Sequence, residues 1–309
     1  TGNITTESGT KALDKLNITS GSVNASGDVK ITGVVLANGV LAAHEVGGAA
    51  GAPNGGNITL GTLSGQGAVV ADNILTVNDA YTGADTDALA LQANELTTAA
   101  AFDSTKGDVT INAAQWNANA ATTLKGDTVE LTKAGTFTNA FAMDGGTLVA
   151  QSGDDANLAT LTFNNNATFT NGAVAVVDSI TMGGTTGKTL TVGSEPDTVG
   201  GTTLSAQHIN LADGKLLVDP DWGLASSNVA VESMGSGGTT DVVLNGNVGV
   251  GRNSYLALVT KNTGWLPGVV GNYTTGVGLS DTGITASMDA FTALAIDAGN
   301  NLSAAGRNT

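Results

Sequence analysis

Gly107-Asp-Val-Thr-Ile-Asn112 and Gly126-Asp-Thr-Val-Glu-Leu-Thr132 carry the pattern that decides the fold of this chain. In each, a Gly-Asp pair is followed by apolar residues at alternate positions, Val109 and Ile111 in the first and Val129 and Leu131 in the second. A period of two places those side chains on one face of a β-strand. Thr and Val in such places suit the β preference of branched side chains. Gly, Asn and Asp supply turns, because they tolerate positive φ or bond their own backbone.

The same unit recurs in both directions from these two stretches. Upstream it reads Gly27-Asp-Val-Lys-Ile-Thr-Gly33 and Gly56-Asn-Ile-Thr-Leu-Gly61, with apolar pairs Val29/Ile31 and Ile58/Leu60. Downstream come Gly146-Thr-Leu-Val-Ala150, Ala159-Thr-Leu-Thr-Phe163, Lys188-Thr-Leu-Thr-Val192, Asn228-Val-Ala-Val231 and Asp241-Val-Val-Leu244. The strands are short and numerous, and most have no helical spacer between them, which excludes a doubly wound sheet. A sandwich, a barrel or a solenoid remains. The pattern runs from about residue 17 to about residue 250, long for one sandwich, and large side chains are too sparse for a thick two-sheet core. Asn and Thr at strand ends (Asn112, Asn164 to Asn166, Asn245 and Asn247) suit ladders between stacked coils. These points favour a solenoid with coils of roughly 20 to 25 residues. With layers about 4.8 Å apart, such a chain is expected to extend on the order of 50 to 60 Å.

Composition agrees with a narrow core. Of 309 residues, 12% are charged and 4% aromatic, while Gly supplies 44, so the apolar residues are mostly small or branched. The 41% hydrophobic fraction argues against disorder. The net charge is −16, and the 11 basic residues include two arginines, Arg252 and Arg307. Phosphate neutralisation needs clustered Lys and Arg, so neither nucleic acid nor an anionic lipid surface is an expected partner. The chain has no cysteine, which weakly favours the cytosol and equally suits a protein that crosses a periplasm unfolded; the composition as a whole favours the second. No apolar run approaches the roughly 18 residues of a membrane helix, and no membrane insertion by this segment is expected. The start, Thr-Gly-Asn-Ile-Thr, lacks Met and any signal-peptide pattern, as expected of a mature or excised piece of a longer protein.

Two stretches depart from the strand pattern. Residues 79–101 hold the Ala/Leu-rich run Ala88-Leu-Ala-Leu-Gln-Ala-Asn-Glu-Leu, expected to form a short helix or loop. Residues 255–309 gather Tyr255, Trp265, Pro267, Tyr273 and Phe291, which suit a cap on the last exposed layer of a solenoid. The organisation read from the sequence is therefore solenoid repeats over 1–254 and a less regular capping or joining segment over 255–309.

Taken together, the Gly-Asp/Asn-Val-x-Ile-x units, the Asn/Thr-rich turns, the acidity and the absence of cysteine resemble the passenger region of bacterial autotransporters. The resemblance implies an all-β, right-handed parallel β-helix displayed at the Gram-negative cell surface, with roles in adhesion, self-association or toxicity. Such proteins end in a translocator barrel with an aromatic terminal residue, whereas this chain ends Ala-Gly-Arg-Asn-Thr.

Motifs of enzymatic or metal chemistry are incomplete. Residues 182–189, Met-Gly-Gly-Thr-Thr-Gly-Lys-Thr, have Met182 where a phosphate loop needs its first Gly, and read as a Gly-rich turn. His44 (beside Glu45) and His208 stand far apart without cysteine, so no zinc site is expected. Neither is accompanied by a Gly-x-Ser-x-Gly elbow. Asp154/Asp155 and Asp219/Asp221 are the carboxylate pairs to weigh for glycoside chemistry; the second, where Trp222 could stack on a sugar, reads as a solvent-exposed Asp-Pro turn. No nonapeptide series of the calcium-binding type occurs. The Asn-x-Ser/Thr triplets at Asn3, Asn17, Asn24, Asn57, Asn166, Asn272 and Asn301 are expected by chance in so Asn- and Thr-rich a chain. The sequence thus predicts a surface adhesin or self-associating protein rather than an enzyme. It names no catalytic, cofactor-binding or metal residue, and its partners are another copy or a host or neighbouring cell surface. A subunit of an extracellular filament or surface layer is the second expectation.

Overall fold

The structure, a computed structural model, describes residues 2–5, 11–45, 55–151, 159–183, 188–193, 201–218, 228–232, 243–250, 255–259, 293–296 and 302–305. Among these the secondary structure is all β, without a helix. The chain divides into two compact units, Thr1–Asn139 and Ala140–Thr309.

In the first unit each strand lies parallel to the one a coil earlier. The strand Asp108–Ala118 shows the rule, pairing with Ala88–Thr98 on one side and Thr128–Phe137 on the other. A regular coil contributes three segments in turn, for example residues 108–113, 115–118 and 122–123, and each stacks on its own kind. The coils are unequal in length. Ile58 lies in register with Leu75 in a short coil and Gly67 with Leu89 in a somewhat longer one. The coil that carries Val29 round to Ile58 is longer than either. Stacking of this kind satisfies each strand's backbone groups from the coils before and after it, so no helix is needed to cover the sheet.

The predicted apolar pairs face inward: Val29, Ile31, Ile58, Leu60, Val109, Ile111, Val129 and Leu131 are all buried. In register they build columns such as Ile31, Leu60, Val77, Thr98, Ala118 and Phe137. Trp116 is fully buried beside this column, and its indole Nε1 donates to Thr98 Oγ1 at 3.2 Å. Rings follow one another through the core: Tyr81 stacks on Phe102 (4.7 Å between centroids), which meets Trp116 edge-on, which in turn meets Phe137. Edge-to-face and offset contacts of this kind add to the burial of area.

The expectation of a helix or loop over residues 79–101 is corrected. Ala88–Thr98 is a strand, with Leu89, Leu91, Ala93, Leu96 and Thr98 inward. Ala and Leu favour a helix by propensity, but the run also alternates, and the strands Ile58–Ala71, Ile74–Val77 and Asp108–Ala118 offer it a complete set of ladder partners.

The second unit obeys the same rule with looser spacing. Its columns include Leu148, Val174, Leu204 and Val229, and separately Leu161, Ile180 and Ile209, all buried. Thr160 meets Ser179 after a short coil, whereas the coil from His208 to Val243 is nearly twice as long. Tyr255–Val259 pairs in parallel with Asn228–Glu232, and Ala293–Ile296 pairs antiparallel with Leu302–Ala305. Trp265, Pro267, Tyr273 and Phe291 lie outside the described residues. The pairing pattern makes the chain a parallel β-solenoid.

Candidate functional site

Outward positions are the part of such a fold open to function, and register decides which of them meet. Thr59, Thr76, Thr97, Asn117 and Thr136 stand one above another on successive coils of the first unit. All of them are partly exposed. With layers about 4.8 Å apart they form a ladder of hydroxyls in which one rung, Asn117, is an amide. The neighbouring outward column on the same strands is Ile74, Glu95, Gln115 and Ala134. Its single charge is engaged, since Asn117 Nδ2 donates to Glu95 Oε1 at 2.9 Å. The column continues from Thr59 to the exposed Lys30, so the uncharged part of the ladder is the run Thr59, Thr76, Thr97, Asn117 and Thr136 on a chain of net charge −16.

The other outward rows differ. Asp108, Glu130 and Lys133 are exposed on Asp108–Ala118 and Thr128–Phe137. Asn112, expected to stack with like residues, stands instead between Gln92 and Glu130. In the second unit Asn245 does lie in register with Asn210, while Asn247 lies opposite Lys215. Asn166 Oδ1 accepts from Thr189 N at 3.0 Å, tying one coil to the next.

A second feature is buried at the corner between successive coils of the first unit. Asp127 is 1% exposed, although Asp108, in the matching Gly-Asp pair, faces solvent. Thr110 pairs with Thr128, so Asp127 stands opposite Val109, in the row where Val109 itself pairs with Leu89. Its Oδ1 accepts from Val109 N at 2.7 Å and its Oδ2 from Lys125 N at 2.9 Å and from Ser104 Oγ. Burial pushes this carboxyl above the ordinary aspartate range; the three donors pull it down by less, and Asp108 adds to the rise. Tyr81 is also buried, and its phenol oxygen has no hydrogen-bond partner among the described residues. Its titration is pushed up by burial first, then by Asp87 and Asp127. Asp87, almost fully buried, accepts from Ala84 N at 3.0 Å.

His44 is exposed, with Nδ1 3.2 Å from Asp72 Oδ1, and Glu45 N donates to the same carboxylate. His208 enters a strand in register with Ser179 and Val243. Met182 is buried at the end of its strand, while residues 184–187 of the Gly-rich turn lie outside the described residues. So do Asp154, Asp155, Asp219, Asp221, Trp222, Arg252 and Arg307. The Asn57 side chain is committed to the fold, donating to Asp28 and accepting from Ile74 N. Among the described residues there is no group of three or more His, Asp or Glu able to hold a metal ion, and no helix long and apolar enough to cross a membrane. Val35, 40% exposed, is the one large apolar side chain among them that faces solvent.

No family model, curated protein or solved structure matches this chain.

Proposed function

We propose that this chain is an extracellular, surface-displayed adhesive protein without enzymatic activity, a solenoid that joins laterally to further copies of itself or to a neighbouring cell surface. The observation that supports this reading best is the in-register ladder of Thr59, Thr76, Thr97, Asn117 and Thr136. A surface of strong net charge repels its own copies, and contact is easiest where charge is least. The ladder offers donors and acceptors at a fixed repeat on such a strip, so many weak hydrogen bonds can form together. Sparse apolar exposure among the described residues fits a contact made by polar groups rather than by a hydrophobic patch.

Sedimentation velocity across a concentration series tests the reading. Self-association is expected, and added salt should strengthen it, because screening acts over about 10 Å at 0.1 M and weakens the background repulsion. The double variant Thr76→Asp/Thr97→Asp should weaken association by about tenfold or more without loss of fold. A wild-type chain that stays monomeric and binds no cell surface would remove the proposal. Association that salt weakens and the variant leaves unchanged would move the contact to a charged row.

A further inference from the structure

The corner around Asp127 holds a proton-counting problem. Ser104 has one hydroxyl hydrogen, yet its Oγ lies within donor range of two acceptors, Asp127 Oδ2 and the Thr123 carbonyl oxygen, the latter at 3.3 Å. If Asp127 is ionised, Ser104 donates to it and leaves Thr123 O to the Ser104 amide alone. If Asp127 carries a proton on Oδ2, that proton goes to Ser104 Oγ and the Ser104 hydrogen goes on to Thr123 O. Every short contact of the corner is then a hydrogen bond, since a carbonyl accepts two. The proton cannot sit on Oδ1, which already faces the Val109 N–H.

The surroundings favour the second arrangement. Asp127 is 1% exposed and has no ion-pair partner among the described residues. A buried, unpaired carboxylate is costly, and such groups tend to neutralise instead. The titratable groups acting on it are Tyr81, two coils back, and Asp108, on the adjoining coil, neither of which supplies positive charge at neutral pH. Lys106 and Lys125, in the same turns, point to solvent, and only the Lys125 backbone reaches the carboxyl. Asp87, which acts on Tyr81, adds a further negative group nearby.

We infer that Asp127 is held in the folded chain as a neutral carboxylic acid donating to Ser104, so that the joint between these two coils is a proton-dependent latch. The latch is closed in acid. A group that binds its proton more tightly when folded contributes stability that is complete below about pH 4 and is lost as pH rises through its folded value. Above that value the ionised carboxylate is buried beside Asp108, and the Val109 strand end loosens from the turn at residues 122–127.

The test is carboxyl-carbon NMR of the full chain labelled at aspartate, read across pH. One resonance should titrate well above the other aspartates, should show through-hydrogen-bond coupling to the Val109 amide, and should vanish in Asp127→Asn. Over the same pH interval, hydrogen exchange at Val109 should accelerate by about tenfold or more relative to core amides of the second unit such as Ile180. The coupling assigns the resonance in the wild-type chain itself, so the result stands even if the variant fails to fold. An Asp127 resonance that titrates with the exposed aspartates, or below them, would overturn the inference.

Discussion

The two units solve the same packing problem with different regularity. In the first, Tyr81, Phe102, Trp116 and Phe137 run through the core as a chain of ring contacts, each ring touching the next. In the second, Phe141, Phe163 and Phe169 each touch both of the others, at 5.3 to 5.9 Å. Around the ring chain the coils differ little in length, as the pairings Ala88 with Asp108, Phe102 with Thr122 and Ala118 with Phe137 show. In the second unit the coil from His208 to Val243 is nearly twice as long as that from Thr160 to Ser179. The inward columns nevertheless stay in register in both. What a solenoid holds constant is the stacked segment, while the connection between segments absorbs the variation.

Deleting a ring is the strongest way to probe that difference. Trp116→Ala removes the middle of a chain, splits the remaining contacts, and strands the Thr98 hydroxyl that its indole serves. Phe169→Ala leaves the Phe141–Phe163 contact whole. Both should cost about 3 to 5 kcal/mol in denaturant unfolding, the tryptophan at the upper end. An equal or reversed order would show that ring connectivity does not matter beyond buried area.

A smaller effect sharpens the same point. Thr98→Val keeps the shape of the buried column but leaves the Trp116 N–H without an acceptor, so a loss of about 1 to 3 kcal/mol is expected. A neutral result in the same unfolding measurement would mean that the indole finds another partner.

The two Gly-Asp turns give the mildest test. Gly126 has φ of 74° with open space around it, whereas Gly107 packs so closely that an added Cβ would lie 3.0 Å from the Ala84 carbonyl oxygen. Gly126→Ala should cost about 1 to 2 kcal/mol, from backbone conformation alone. A cost well beyond that would indicate that the turn carries the Asp127 corner as well.

Those turns also mark where sequence reading stops. Alternation identifies the inward residues of both Gly107–Asn112 and Gly126–Thr132 correctly, because a two-residue period is a local property. It does not separate Asp108 from Asp127, since identical dipeptides differ only through the positive φ of Gly126 and a register set by the neighbouring coil. Asn38 and Asn171 take positive φ as turn residues of their type are expected to. The threonine ladder is invisible in the sequence for a related reason. Thr59, Thr76, Thr97 and Thr136 follow no constant spacing, because coil length changes from turn to turn, and pairing alone aligns them. The strand at Ala88–Thr98 escapes sequence reading because its residues favour a helix and only its partners make it extended.

Electron microscopy of the purified chain across a concentration series tests the central claim most directly. Particles joined side by side, increasing with concentration and salt and absent from Thr76→Asp/Thr97→Asp, are the predicted result. Regular end-to-end fibres in both wild type and variant would contradict it, and would place the joint at the ends of the stack instead of along the ladder.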